Sequence, residues 1–145
     1  MERATLDFPE EMIVHRHSLS VRITDMNYGR HLAHDALVTL LAEARANALA
    51  ALSFPEWDMG GYPSVVAELS VTFQREARFP DQLVIETAIP EPEGKALGVY
   101  HRILNPQGER VATARVTLLL IDMSTGKPVA VPDAFARALA AARGA

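Results

Sequence analysis

Residues 25–35 read Asp25-Met26-Asn27-Tyr28-Gly29-Arg30-His31-Leu32-Ala33-His34-Asp35, and an alanine-rich apolar stretch follows without a break. The segment packs carboxylates, imidazoles, a carboxamide and a glycine into one short run. From Ala36 to Leu52 only Thr39, Glu43, Arg45 and Asn47 are polar. The alanine content favours helix by local propensity. A helix apolar nearly all round is a buried one, so a central helix wrapped by a sheet is expected. Polar groups gathered at the N-terminus of such a helix point to a site, because free backbone N–H groups and the helix dipole favour negative charge there.

Upstream, residues 12–23 alternate as a strand, with Ile13, His15, His17, Leu19 and Val21 on one side. Downstream, Pro55 closes the helical region, and residues 56–63 form a loop around Gly60-Gly61. Four strands are expected after it, over Ser64–Gln74, Gln82–Ile89, Leu97–Leu104 and Arg110–Asp122. Turns at Pro80-Asp81, Glu91–Gly94 and Asn105–Gly108 separate them, and tight turns imply antiparallel neighbours. After a last turn at Ser124–Gly126, Pro132-Asp133 opens a short C-terminal helix reaching about Ala142. One long helix against a curved antiparallel sheet of about five strands is an α+β architecture.

The 145 residues fit one domain, residues 1–145, with a core over about 12–132. Hydrophobic residues at 49% and charged residues at 22% place the chain among soluble globular proteins. A net charge of −4 argues against nucleic acid as the main partner. The absence of cysteine excludes disulfides, thiolate catalysis and Cys-ligated zinc. The acidic start, Met1–Glu11, is not expected to be a signal peptide, and no apolar run is long enough to span a membrane. A cytoplasmic protein is the expectation.

The order of elements and the 25–35 motif resemble the hotdog-fold acyl-CoA thioesterases, in their 4-hydroxybenzoyl-CoA thioesterase-like branch. The likeness covers about residues 12–132. Members carry a segment of the form Asp-x-Asp-x-x-Gly-His-Val-Asn-Asn before the central helix, with Glu-Ala-Arg inside it. Asp25-Met26-Asn27, His31-Leu32 and Glu43-Ala44-Arg45 match in place. Val66-Ala67-Glu68-Leu69 leading to Phe73, Arg78-Phe79-Pro80-Asp81, Gly108–Ala112 and Thr125–Pro128 also look like family features. The chain departs from the pattern in three places. Asn27 stands where the family has its second Asp, often the catalytic carboxylate. Arg30 stands where it has glycine, and Ala33-His34 replaces the Asn-Asn pair, with Asp35 next.

The resemblance implies hydrolysis of an acyl-CoA, or an acyl-carrier-protein thioester, to free acid and thiol. Such hydrolysis needs an oxyanion site, an activated water or nucleophile, and a group holding the carbonyl. Backbone N–H groups over Gly29–Leu32 or the first helical turn could serve the oxyanion. Asp35, charged at the helix start, could activate water or attack directly. Asn27 could bond the water or carbonyl, and His31 and His34 could orient substrate or shuttle a proton. Gly29, Arg30 and Tyr62 are candidate substrate-binding residues. Trp57, Met59 and Phe73 could line an acyl pocket with Tyr62, or simply pack.

Each candidate also has a plain structural reading. Asp35 complements the helix dipole, Asp25 caps a loop, Asn27 is a left-handed turn residue, and His31 is packed and bonded. Glu43 pairs with Arg45, since a buried charge needs a partner. His15-x-His17 has same-face spacing but no third ligand, so no metal is expected. Arg75, Arg78, Arg102 and Lys95 are scattered basic residues and are not assigned to a site.

No cofactor is implied, because CoA is part of the substrate. The family joins two sheets edge to edge, so a homodimer or a dimer of dimers is implied, which also covers an exposed sheet edge. Two other readings stay open. One is a non-catalytic acyl-CoA binding or sensing protein, suggested by Asn27. The other is an enoyl-CoA hydratase, whose Asp-x-Asn-Pro-x-His is approximated by Asp25, Asn27 and His31, with Tyr28 for the proline and the histidine one residue late.

Overall fold

The computed structural model describes residues 6–144. The acidic start therefore lies partly, at residues 1–5, outside the described residues. The elements run β1 (Ile13–Ser20), α1 (His34–Ala51), β2 (Ser64–Phe73), β3 (Gln82–Ala88), β4 (Ala96–Leu104), β5 (Arg110–Asp122), β6 (Lys127–Val129) and α2 (Asp133–Arg143). A 3₁₀ turn, Glu10–Met12, precedes β1, and a second, Ile23–Asp25, leads into the motif. One antiparallel sheet has the order β1-β3-β4-β5-β2, with β6 beside the end of β5. This is the expected hotdog arrangement of a long helix against a curved sheet.

Four details correct the sequence reading. β2 and β3 do not pair; β2 lies against β5, with Val71 opposite Ala114, and β3 lies between β1 and β4. The link between them is no hairpin. Gln74 and Arg75 donate backbone N–H bonds to the Val111 carbonyl, and Leu32 donates to Ala77. The link thus passes the N-terminal end of α1 and sends β3 to the other side of the sheet. β6 is a sixth strand, three residues long and too short to read from periodicity. The helix begins at His34, so both His34 and Asp35 lie in its first turn. Finally, α1 is not buried all round. Leu37, Leu40, Leu41, Ala44, Arg45, Ala48 and Leu49 face inward, while His34, Asp35, Thr39 and Glu43 are exposed. Alanines on the outer face made the stripe look wider than it is.

Two apolar clusters fill the space between helix and sheet. One joins Leu37, Leu41, Ala44, Ile85 and Ile103; the other joins Leu49, Ile89, Val99, Leu118 and Phe135 of α2. A polar layer separates them along the strands. Thr87 and His101 are opposite each other on β3 and β4, fully buried, with the Thr87 hydroxyl 2.9 Å from His101 Nδ1. His101 Nε2 has no partner among the described residues. Burial, with the nearby Arg45 charge, pushes the imidazole down to about 3, so it is neutral at pH 7. Arg45 itself pairs with Glu56, 3.3 Å away.

β1 and β2 are the two outer strands. β2 is long and carries exposed Val65, Val66, Leu69 and Phe73. No helix among the described residues is long and apolar enough to cross a membrane.

Candidate active site

The Asp25–Asp35 loop is held by its own polar groups. Asp25 is buried; its carboxylate accepts from the Arg22 amide at 2.8 Å and from the Arg22 guanidinium at 2.9 Å. Those bonds hold its carboxyl below the usual carboxylate range. Its carbonyl accepts the Ala33 N–H. Asp25 is the capping residue that its plain reading describes.

Asn27 is likewise a turn residue, but of a different kind from that expected. Its Oδ1 accepts the N–H groups of Gly29 at 2.9 Å and His31 at 3.2 Å. The left-handed residue is Arg30, with φ 62°. This is the position where the resembling family has glycine, and an arginine there bears a backbone cost of roughly 1 kcal/mol. Because Oδ1 is committed to two donors, the amide orientation of Asn27 follows, and Nδ2–H₂ is the face it offers outward. An aspartate in this place would present a carboxylate oxygen instead.

The loop bonds consume the backbone donors that the sequence reading assigned to an oxyanion. The N–H groups of Gly29, Arg30, His31, Leu32 and Ala33 are all bonded within the fold. The first turn of α1 is different. Its cap, Ala33, has no side-chain acceptor, and the amides of His34, Asp35 and Ala36 have none among the described residues.

Asn27, His31 and His34 converge on one cleft of about 290 Å³, floored by Leu32, Leu37, Ala77 and Val111 and flanked by Phe73 through Glu76. His34 stacks on Phe73 with ring centroids 4.3 Å apart. His31 Nε2 lies 2.9 Å from Glu76 Oε2 and 3.4 Å from an Arg78 guanidinium nitrogen. Asp35 is not among the cleft residues. It is exposed, and successive helical residues point about 100° apart, so it faces the outer side of α1 beside His34. Gly29 and Arg30 form the exposed rim of the loop.

Other candidates separate from this site. Tyr62 packs against the second apolar cluster, Met59 is fully buried within it, and Trp57 is 74% exposed. Of the proposed acyl-pocket residues, only Phe73 reaches the cleft. Glu43 does not pair with Arg45, because residues two apart on a helix point to different faces. It accepts from Asn47 and borders a separate groove with His17, Arg22 and Thr39. His15 and His17 stack at 6.4 Å, and the described residues contain no group of three or more potential metal ligands. Glu76 and Gln74 are cleft residues that sequence reasoning missed. Arg75-Glu76-Ala77-Arg78 reads as ordinary polar connection, and only the path of the β2–β3 link brings it to His31.

Comparison with known proteins agrees with this architecture. The chain is 28% identical over 115 residues to an L-carnitine dehydrogenase/betainyl-CoA thioesterase of Agrobacterium fabrum; the match covers 79% of the chain and 24% of that relative. The chain thus spans about a quarter of that protein's length. It is 27% identical over 116 residues to the long-chain acyl-CoA thioesterase FadM of Escherichia coli, covering 78% of the chain and 87% of the relative. A Thermus thermophilus thioesterase solved with coenzyme A and zinc shares the fold at a TM-score of 0.80 and 22% identity, covering 93% of this chain and 98% of the other. The sequence model of the thioesterase-like superfamily matches residues 21–139, from the end of β1 into α2, and the chain belongs to that superfamily.

Proposed function

We propose that the protein hydrolyses an acyl-CoA thioester, or less readily an acyl-carrier-protein thioester, with water as the only co-reactant and no resident cofactor. The observation that carries this is the convergence of Asn27, His31 and His34 on one cleft at the open N-terminal turn of α1. Superfamily membership and the acyl-CoA thioesterases among the relatives support the same reading. Asn27 Nδ2 donates to the thioester carbonyl or to the attacking water. The free amides of the first helical turn, aided by the helix dipole, stabilise the oxyanion. His31 and His34 orient substrate and move protons, and Gly29 and Arg30 bound the entry.

Asp35 positions the attacking water from the outer side of the α1 N-terminus, where a bound thioester spans from the cleft past the helix start. A second copy would enclose that space. We therefore also propose a homodimer or a dimer of dimers, working in the cytoplasm. The single-sided β2 strand with its exposed Val65, Val66, Leu69 and Phe73 supports self-association.

The test is thiol release from a panel of short, long, branched and aromatic acyl-CoAs, with sedimentation to give the oligomeric state. Turnover of at least one substrate is expected. Tight binding of several with no product would instead favour a sensing role, and Asn27→Asp would then be expected to create activity.

A further inference from the structure

Glu76 lies outside every motif that the sequence displays, yet it makes the shortest contact to the ring of His31. Its Oε2 is 2.9 Å from Nε2, and the competing Arg78 nitrogen is 3.4 Å away. The two neighbours demand opposite things of the ring. A carboxylate can only accept, so it requires a proton on Nε2; a guanidinium can only donate, so it requires Nε2 bare. The shorter distance favours the carboxylate, and charge-assisted bonds of this length are the stronger kind. Neutral His31 then carries its proton on Nε2 and leaves Nδ1 as a free acceptor.

Gly29 is the loop residue beside Nδ1. Gly29 has an ordinary backbone conformation rather than a positive φ, so its lack of a side chain is not needed for the turn. A Cβ there would lie 3.6 Å from His31 Nδ1 and 3.3 Å from Asn27 Oδ1. Glycine therefore leaves the loop edge beside His31 Nδ1 free of a side chain. His31, at 29% side-chain exposure, is reachable from the cleft.

We propose that Glu76 is a positioning residue that orients His31 as the general base of the reaction, a role that rests on the hydrolase reading above. His31 Nδ1 takes a proton from water as the water oxygen bonds to the thioester carbon. The tetrahedral intermediate then collapses, the carbon–sulfur bond breaks, and the leaving thiolate takes that proton back from Nδ1. Acid and thiol leave, and the ring returns to its starting state. Glu76 touches neither water nor thioester and acts only through the ring, as carboxylates orient basic histidines elsewhere.

A double-mutant cycle tests this in the full-length protein with whichever acyl-CoA is turned over fastest. His31→Ala is expected to lower kcat at least about 100-fold. Because Glu76 is largely exposed, Glu76→Gln is expected to lower kcat about tenfold with KM unchanged, and Glu76→Asp to restore part of the loss. The double variant is expected to match His31→Ala alone, since a residue acting through the ring has nothing to act on without it. Nitrogen-15 NMR of the ring should show Nε2 protonated in the wild type and a shifted tautomer population in Glu76→Ala. A wild-type kcat in Glu76→Gln, an additive double variant, or a wild-type ring protonated on Nδ1 each overturns the role of Glu76 and leaves the hydrolase reading standing. Absence of turnover with any acyl-CoA overturns that reading and the pair's catalytic role together.

Discussion

Two parts of the molecule place a histidine beside a hydrogen-bonding neighbour and within reach of an arginine, and they do opposite things with it. His31 stands in an open cleft with Glu76 and Arg78, one ring nitrogen bonded and the other beside Gly29, which has no side chain. His101 is sealed between helix and sheet, bonded to Thr87, with Arg45 close and one nitrogen orphaned. Burial makes protonation of His101 so costly that the group is inert at neutral pH. Access, rather than residue type, separates the imidazole that a ligand can reach from the one that divides two apolar clusters.

The contrast is broken most forcefully in the cleft. Asp35→Asn and Asn27→Ala are each expected to reduce thiol release on the order of 100-fold; thermal stability should hardly change in the first, whose side chain is exposed, and fall by about 1 kcal/mol in the second, which loses the bonds to the Gly29 and His31 amides. A loss confined to one of them would show which side of the α1 N-terminus holds the reacting carbonyl.

The buried histidine should show itself in stability alone. Below pH 6.5 the unfolded chain takes up a proton at His101 that the folded chain refuses until about pH 3. Stability contributed by the neutral ring is therefore present above that window and is lost as pH falls through it, at up to about 1.4 kcal/mol per pH unit. Urea unfolding at a series of pH values measures this. The double substitution His101→Leu with Thr87→Val, which removes both hydrogen-bonding partners together, is expected to flatten the slope while keeping activity.

A smaller effect distinguishes the two aspartates that frame the motif. Asp25→Ala removes bonds to a charged group and is expected to cost about 2 kcal/mol in denaturant unfolding. Its depressed carboxyl pKa also means that its contribution is present above the unfolded-state value and fades as pH falls through the folded one. The smallest expected change is Arg30→Gly. Relief of the left-handed strain should exceed the added freedom of the unfolded chain, raising stability by about 0.5 kcal/mol.

Much of the fold was legible because local signals repeat. Residues 110–122 were delimited by a long apolar run and the turn before it, and the structure has β5 over the same span. Asp25 was read correctly as a cap, since aspartate bonds nearby backbone donors wherever a loop allows it. The candidate site was legible only along the chain. Asn27, His31 and His34 come from one segment and meet in one cleft, but Tyr62 reads no differently from Phe73, and only Phe73 reaches it. Glu43 and Arg45, two residues apart in the chain, point to different faces, and Arg45 pairs with Glu56 instead.

By itself, then, the sequence determined the order of the longer elements, the central helix and the polar loop at its head, because propensity, periodicity and turn chemistry act over a few residues. Tertiary structure alone decided that β2 joins β5 and that the link after it carries Glu76 to His31, 45 positions away in the chain. It also decided that Asp35 faces outward and that His101 is shut in. Those outcomes depend on which surfaces the folded chain brings into contact, and no local pattern encodes a meeting between residues that distant.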